Sequence, residues 1–275
     1  MCVAPNSAWP ADLEHVLWIG GPPASGKTTI ATRLARRHGL RLYSADARTW
    51  EHRDRAVHER NPAAVRWEAM TPRERWETAT PAEMLAMSLH RERGSMVVDD
   101  LRALPRSPLV VAEGTTLSAS AVPDRSRAVW LLPTREFREA ELERRRLSQG
   151  PRELFLLQTE RIRGEAAEHD LPALVVDRSH RIDATVEGVE RLLADALAQG
   201  PRAEALAERR ALLREANEAI VAQLRGYYAR PWAEGSADEV VRSFHCECGD
   251  RSCVLSVDVR VGDAAAGCVL AAGHA

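Results

Sequence analysis

The most concentrated chemistry in the sequence lies at residues 21–29, Gly21-Pro-Pro-Ala24-Ser25-Gly26-Lys27-Thr28-Thr29. It follows the apolar run Val-Leu-Trp-Ile at 16–19 and precedes a helical pattern through Ile30, Leu34 and Ala35. Gly21 and Gly26 let the backbone curl so that its N–H groups and a helix N-terminus face one anion. Gly-x-x-x-x-Gly-Lys-Thr between a strand and a helix is the spacing of a Walker A loop. Lys27 is then the group for the β and γ phosphates of ATP and Thr28 the hydroxyl for Mg2+, with Gly21, Ala24, Ser25, Gly26 and Thr29 completing the cradle. Lys27 is also the one lysine against 37 arginines. A compact ammonium is kept here, where a forked guanidinium is no substitute.

Such a loop needs a sheet to hold it. Further apolar runs at 40–44, 109–112, 128–132 and 173–176 alternate with segments rich in helix formers. This predicts an α/β fold of three layers, a five-stranded parallel sheet covered on both faces. Ligands in these sheets bind beyond the carboxyl ends of the strands, so the polar residues found there are the candidates.

After the second strand stands Asp46, placed to accept the proton of an acceptor hydroxyl or to hold the Mg2+ shell. It would also cap a helix beginning at Ala47. After the third come Glu113 and Gly114, an acidic residue suited to a water on Mg2+ and a glycine that admits substrate; a plain strand-end turn is the alternative. Thr115 and Thr116 are weaker candidates. Segment 135–152 carries six arginines, of which Arg145 and Arg144 are the candidates for neutralising charge on a transferring phosphoryl group. The interleaved glutamates make most of the segment a solvated ion-pair face. Asp177-Arg178-Ser179, closing the last strand, is a position for packing adenine.

Together, residues 21–28, Asp46, the Glu113-Gly114 pair and the Arg-rich segment after Pro133 resemble the small-molecule kinase branch of P-loop proteins. That group holds shikimate and gluconate kinases, chloramphenicol phosphotransferase and the zeta toxins. The resemblance spans roughly residues 13–198. It implies transfer of the ATP γ phosphate to a hydroxyl of a small metabolite or antibiotic, with Asp46 as base and an arginine lid at 135–152. The Asp-x-Asp and Gly-Gly features of shikimate kinases are missing, which disfavours shikimate itself. In such kinases the region matching 47–93 forms the acceptor cap. Here it carries Trp50, Trp67 and Trp76, and His52, Arg48 and Arg53 would then face an acceptor. Packing of an extra helical layer explains the tryptophans equally well. Asp99 and Asp100 fall in a helical pattern and read as surface charges.

Beyond an amphipathic helix at 186–197, Gly200-Pro201 breaks the chain. Residues 202–228 then read as one long helix with Leu206, Leu213, Ile220 and Leu224 on a stripe. The expected organisation is a kinase domain at 1–198, a linker and bridging helix at 199–239, and a Cys-rich module at 240–275. In that module Cys246, Cys248 and Cys253, then a strand at 254–261 and His274, form a set for a tetrahedral structural Zn2+ site, with His245 or Cys268 as alternatives to His274. A segment this poor in large apolar side chains needs such a staple to fold. Free or redox-active thiols are the other reading. The pattern resembles a small Cys-Glu-Cys-Gly module ending in Gly-His at the tails of actinobacterial proteins.

The 275 residues carry 38 basic and 40 acidic side chains, a net charge of −2, which argues against a broad nucleic-acid-binding surface. The N-terminal residues lack a basic segment followed by an apolar one and no apolar run spans a membrane, so a cytoplasmic protein is expected. The competing function is a nucleotide-dependent regulatory switch whose metal module docks a macromolecular partner.

Overall fold

The computed structural model describes residues 11–177 and 181–275. Strand β1 (Val16–Gly20) lies at the centre of a parallel sheet with β2 (Arg41–Ser44), β3 (Val110–Gly114), β4 (Ala128–Pro133) and β5 (Ala173–Val176), in the order β2-β3-β1-β4-β5. Successive side chains of a strand point to opposite faces, and both faces of β1 are buried. Leu17 and Ile19 pack with Ile30 and Leu34 of α1 (Lys27–His38) and with Val186 and Val189 of α8 (Ile182–Leu192). Trp18 packs on the other side with Val97 and Leu101 of α5 (His90–Ala103) and Ile162 of α7 (Gln149–Glu168). The expected five-stranded parallel sheet between helical layers is present.

Several boundaries differ from the sequence reading. β3 runs on to Gly114, pairing Glu113 with Ile19 and Ser44, so the acid belongs to the strand's last turn of ladder. The 135–152 segment is two helices, α6 (Arg135–Arg144) and the start of α7, with Arg145 to Ser148 between them. The 186–197 helix breaks at Leu193 into α8 and α9 (Ala194–Gln199). The strand expected at 254–261 is shorter, β7 (Ser256–Arg260), and Val261 opens α11 (Val261–Ala266).

Residues 47–93 fold as α2 (Thr49–His58), α3 (Pro62–Ala69), a π turn at Glu74–Thr78, α4 (Pro81–Met87) and the first residues of α5. The starts are encoded locally. Asn61 accepts from the amides of Ala63 and Ala64 ahead of Pro62, and Thr80 with Glu83 forms a capping box around Pro81.

The long helix α10 (Leu206–Tyr228) begins later than expected, because the chain first passes the C-terminal end of α1, where the Ala203 amide donates to the Gly39 carbonyl, and the Pro201 carbonyl accepts from the Leu109 amide. Its buried residues are Ala216, Asn217 and Val221, whereas Leu206 is exposed. The helix lies along edge strand β2, where Arg41 pairs with Glu215 at 3.0 Å. At its C-terminal end Tyr227 and Trp232 meet Trp50 and Trp67 with ring centroids 5.4–5.9 Å apart. Arg75 and Arg53 stack on Trp67 at 3.6 and 3.9 Å. Trp76 is not a member of this cluster. Replacing Trp67 with Ala should cost about 3–5 kcal/mol in urea unfolding, and Trp76→Ala clearly less; equal losses would show that the cluster does not hold α10 against α2 and α3.

Candidate functional site

The loop between β1 and α1 is shaped by contacts that only glycine permits. Gly21 has φ +145, and a Cβ there would stand 2.5 Å from the Leu131 carbonyl oxygen of β4. Gly26 sits at φ 82 and hands the chain to α1 with Lys27 as the first helical residue. Lys27 is buried, with Nζ 3.4 Å from the Pro22 carbonyl oxygen and 3.7 Å from Asp46 Oδ2. The buried Ser25 hydroxyl has no hydrogen-bond partner, a donor left free within the curl of the loop.

Three strand ends converge on this point. Glu113 accepts hydrogen bonds from the Thr28 hydroxyl at 3.0 Å and from the Ser44 hydroxyl. Burial and the adjacent Asp46 charge push the Glu113 carboxyl above its ordinary range, against the pull of Lys27. Asp46 opens a short 3-10 turn beyond β2 and accepts from Thr115, whose amide and hydroxyl lie 3.3 and 3.4 Å away. Burial opposes its charge, but Lys27, Arg93 and the two Thr115 donors outweigh burial and hold the carboxyl below the ordinary range. The two acids are thus shifted in opposite directions, an arrangement suited to distinct roles.

Gly114, at φ +152, lets the loop after β2 approach β3 closely. A Cβ at this residue would stand 2.6 Å from the Ala45 Cβ, so the close neighbour is the β2 loop that carries Asp46. Arg93, absent from the candidates drawn from sequence, holds that loop. It is buried and donates to the Ala45 carbonyl at 2.7 Å and to the Thr49 hydroxyl at 3.0 Å. Thr116 is buried with its hydroxyl unpartnered.

A cleft of about 330 Å³ opens over the loop, lined by Ala24 to Ile30, Phe137, Arg144, Arg145 and, at its apolar end, Val176 and Ile182. Arg144 is committed to Glu141 at 2.8 Å, whereas the Arg145 guanidinium has no hydrogen-bond or ion-pair partner among the described residues. Of Asp177, Arg178 and Ser179, the last two lie outside the described residues.

The residues proposed to face an acceptor are otherwise engaged. His52 is fully buried and bonds Asp100 at 2.8 Å, Arg53 is buried on Trp67 and donates to the Met87 carbonyl, and Arg48 pairs with Glu51. Asp100 is not a surface charge. It is 17% exposed and accepts from Tyr43, His52 and Arg55, because its helix face is turned toward β2 and α2; Asp99, 59% exposed, is the surface member of the pair.

In the tail, β6 (Val241–His245) pairs antiparallel with β7, and the turn between them carries the cysteines. Phe244 anchors the hairpin in a small core with Val221, Val261 and Ala264. Cys246, Cys248, Cys253 and His274 bring their ligand atoms within 4.8 Å of one another, with Cys246 Sγ 3.5 Å from His274 Nδ1. Burial opposes ionisation of Cys246, but the amides of Ala271 and Cys248 outweigh it and draw the thiol down to about 7. This donor set is compatible with a thiophilic divalent cation. The alternatives fall elsewhere: His245 alternates to the other side of β6 and faces α1, and Cys268 is exposed.

No protein-family model matches this sequence, and neither does any curated protein. A solved structure that this chain matches is an unliganded sugar kinase from Janibacter sp. HTCC2649, with 20% identity and a TM-score of 0.36, covering 66% of this chain and 96% of that one. No described helix is long and apolar enough to cross a membrane.

The geometry around Lys27 makes a direct prediction. Lys27→Ala should weaken Mg-ATP binding, read by titration calorimetry, by about 2 kcal/mol or roughly 30-fold, the worth of a hydrogen bond to a charged group; unchanged affinity would exclude the loop as the phosphate site.

Proposed function

We propose that this protein is an ATP-dependent phosphotransferase acting on a hydroxyl of a small acceptor. The observation that carries this reading is the placement of Asp46, an anion 3.7 Å from Lys27 and positioned by two Thr115 donors at the carboxyl end of the sheet. In this reading the loop amides and Lys27 hold the phosphates, and in-line transfer is favoured by positioning and by charge stabilisation. Thr28 and Glu113 are the residues that would hold Mg2+, which supplies positive charge against the β and γ oxygens. Asp46 orients the acceptor hydroxyl and takes its proton. Arg145, unpaired among the described residues and on the rim of the cleft, is the arginine available to close on the transferring group. The acceptor would enter on the Asp46 and Thr115 side, under helices α2 to α4.

We also assign a structural zinc ion to Cys246, Cys248, Cys253 and His274. Three thiolates and an imidazole close the tetrahedron and leave no open position for chemistry. Elemental analysis of purified protein should find close to one zinc per chain. Folded, metal-free protein with reactive thiols would overturn the assignment.

The transfer reaction is tested by incubating γ-labelled Mg-ATP and a fractionated small-metabolite extract with the wild type, Lys27→Ala and Asp46→Asn. The expected result is a labelled product with the wild type, none with Lys27→Ala, and a rate lowered about 10²–10⁴-fold with Asp46→Asn at unchanged ATP affinity. Wild-type rates in the Asp46→Asn protein would remove the base assignment. ATP bound but never transferred would favour a regulatory switch instead.

A further inference from the structure

Arg36 lies on α1, nine residues beyond Lys27, and is only 7% exposed. No carboxylate stands within ion-pair distance of it among the described residues. Its hydrogen-bond partners are both in the tail: Nη2 donates to the Cys246 carbonyl at 2.8 Å, and Nη1 lies 3.9 Å from Cys248 Sγ. A buried guanidinium normally has an anionic partner, since an uncompensated buried charge is costly. A divalent cation held by three thiolates and a neutral imidazole carries a net charge of −1. The filled metal site therefore supplies the missing counter-charge to Arg36, and the thiol form of the cysteines does not.

The same helix opens at its other end on the phosphate loop. A second chamber, of about 230 Å³, lies between this end of α1 and the metal module. Thr28 and Thr29 form one wall and Cys253, Val254 and Leu255 another. Thr28 and Thr29 also line the nucleotide cleft, so the two spaces meet at these threonines. The residue that ends the metal knuckle thus begins a wall beside the nucleotide site.

We propose that Arg36 is a positioning residue that couples the two sites, so that filling the Cys246–Cys248–Cys253–His274 site with zinc fixes α1 and the 253–255 wall and raises the affinity for Mg-ATP. The proposal rests on the nucleotide and zinc assignments made above and adds the link between them. Such coupling is reciprocal: Mg-ATP must raise the affinity for zinc by the same factor. With a merely structural arginine, replacing it would leave that factor unchanged.

The test uses the full chain. Mg-ATP affinity is measured by calorimetry on protein carrying one zinc and on protein stripped by a chelator, with circular dichroism reporting the fold. Zinc affinity is measured by competition with a chromophoric chelator, with and without saturating Mg-ATP. The wild type should show the same factor, about tenfold, in both directions. Arg36→Met carrying one zinc should bind Mg-ATP about tenfold more weakly than the zinc-loaded wild type, with the reciprocal effect gone. Arg36→Lys, which keeps the charge, should recover part of both. Equal nucleotide affinity in loaded and stripped folded protein, or a factor that survives in Arg36→Met, would overturn the coupling. Zinc uptake by a protein that binds no nucleotide would remove the nucleotide assignment, and nucleotide binding by a protein that takes up no zinc would remove the metal assignment; in either case the coupling falls with it.

Discussion

Two carboxylates and one ammonium share the carboxyl end of the sheet, and the rest of the site follows from keeping them together. Lys27 is buried within 3.7 Å of Asp46, while Glu113 is buried beside the Thr28 hydroxyl. Isolated buried charges of this kind are strongly unfavourable, so each must be met by a partner on a neighbouring strand end. The parallel register provides this by placing Ser44, Glu113 and Ile19 side by side. Arg93 and Thr115 then fix the loop that presents Asp46. The two acids shift in opposite directions, because burial and the Asp46 charge raise Glu113 while Lys27, Arg93 and the Thr115 donors lower Asp46.

The tail extends this constraint outward. α10 lies along the exposed edge of β2, the strand that delivers Asp46, and covers an edge that would otherwise offer unpaired backbone groups. One end of the helix is joined to α2 and α3 through Trp50, Trp67, Tyr227 and Trp232, and Arg230 adds ion pairs to Asp54 and Glu68. Near its other end, Arg209 and Arg210 donate to the Gly249 and Cys248 carbonyls in the β6–β7 turn. Helices α2 and α3 and, through Arg36, helix α1 are therefore held by residues beyond position 200.

What was legible in the sequence was local. The glycine spacing before Lys27 acts over a few residues, so type and order suffice to read it. Asp46 and Glu113 were legible because strand ends in a parallel sheet are where ligands bind. Arg36 and Arg93 were not, since among 37 arginines nothing in their neighbours marks them as ones that tertiary packing buries. Asp100 was misread for the same reason: the helical period places it on a face, and only the fold shows that Tyr43 and His52 meet that face. Trp50 and Trp67 offered two readings, and the partner that decides their packing, Trp232, lies far along the chain. The tail's Cys/His group was legible as a set, but that His274 rather than His245 joins the three cysteines depended on strand alternation in β6.

The central claim is that the Lys27, Asp46 and Glu113 cluster transfers a phosphoryl group to an acceptor. It is tested most directly by following ATP by phosphorus NMR with the protein, with and without a pool of small hydroxylated metabolites. The account predicts that ADP formation accelerates when the pool is added and is matched by a new phosphomonoester signal. ADP and inorganic phosphate appearing at the same rate with or without the pool would contradict it.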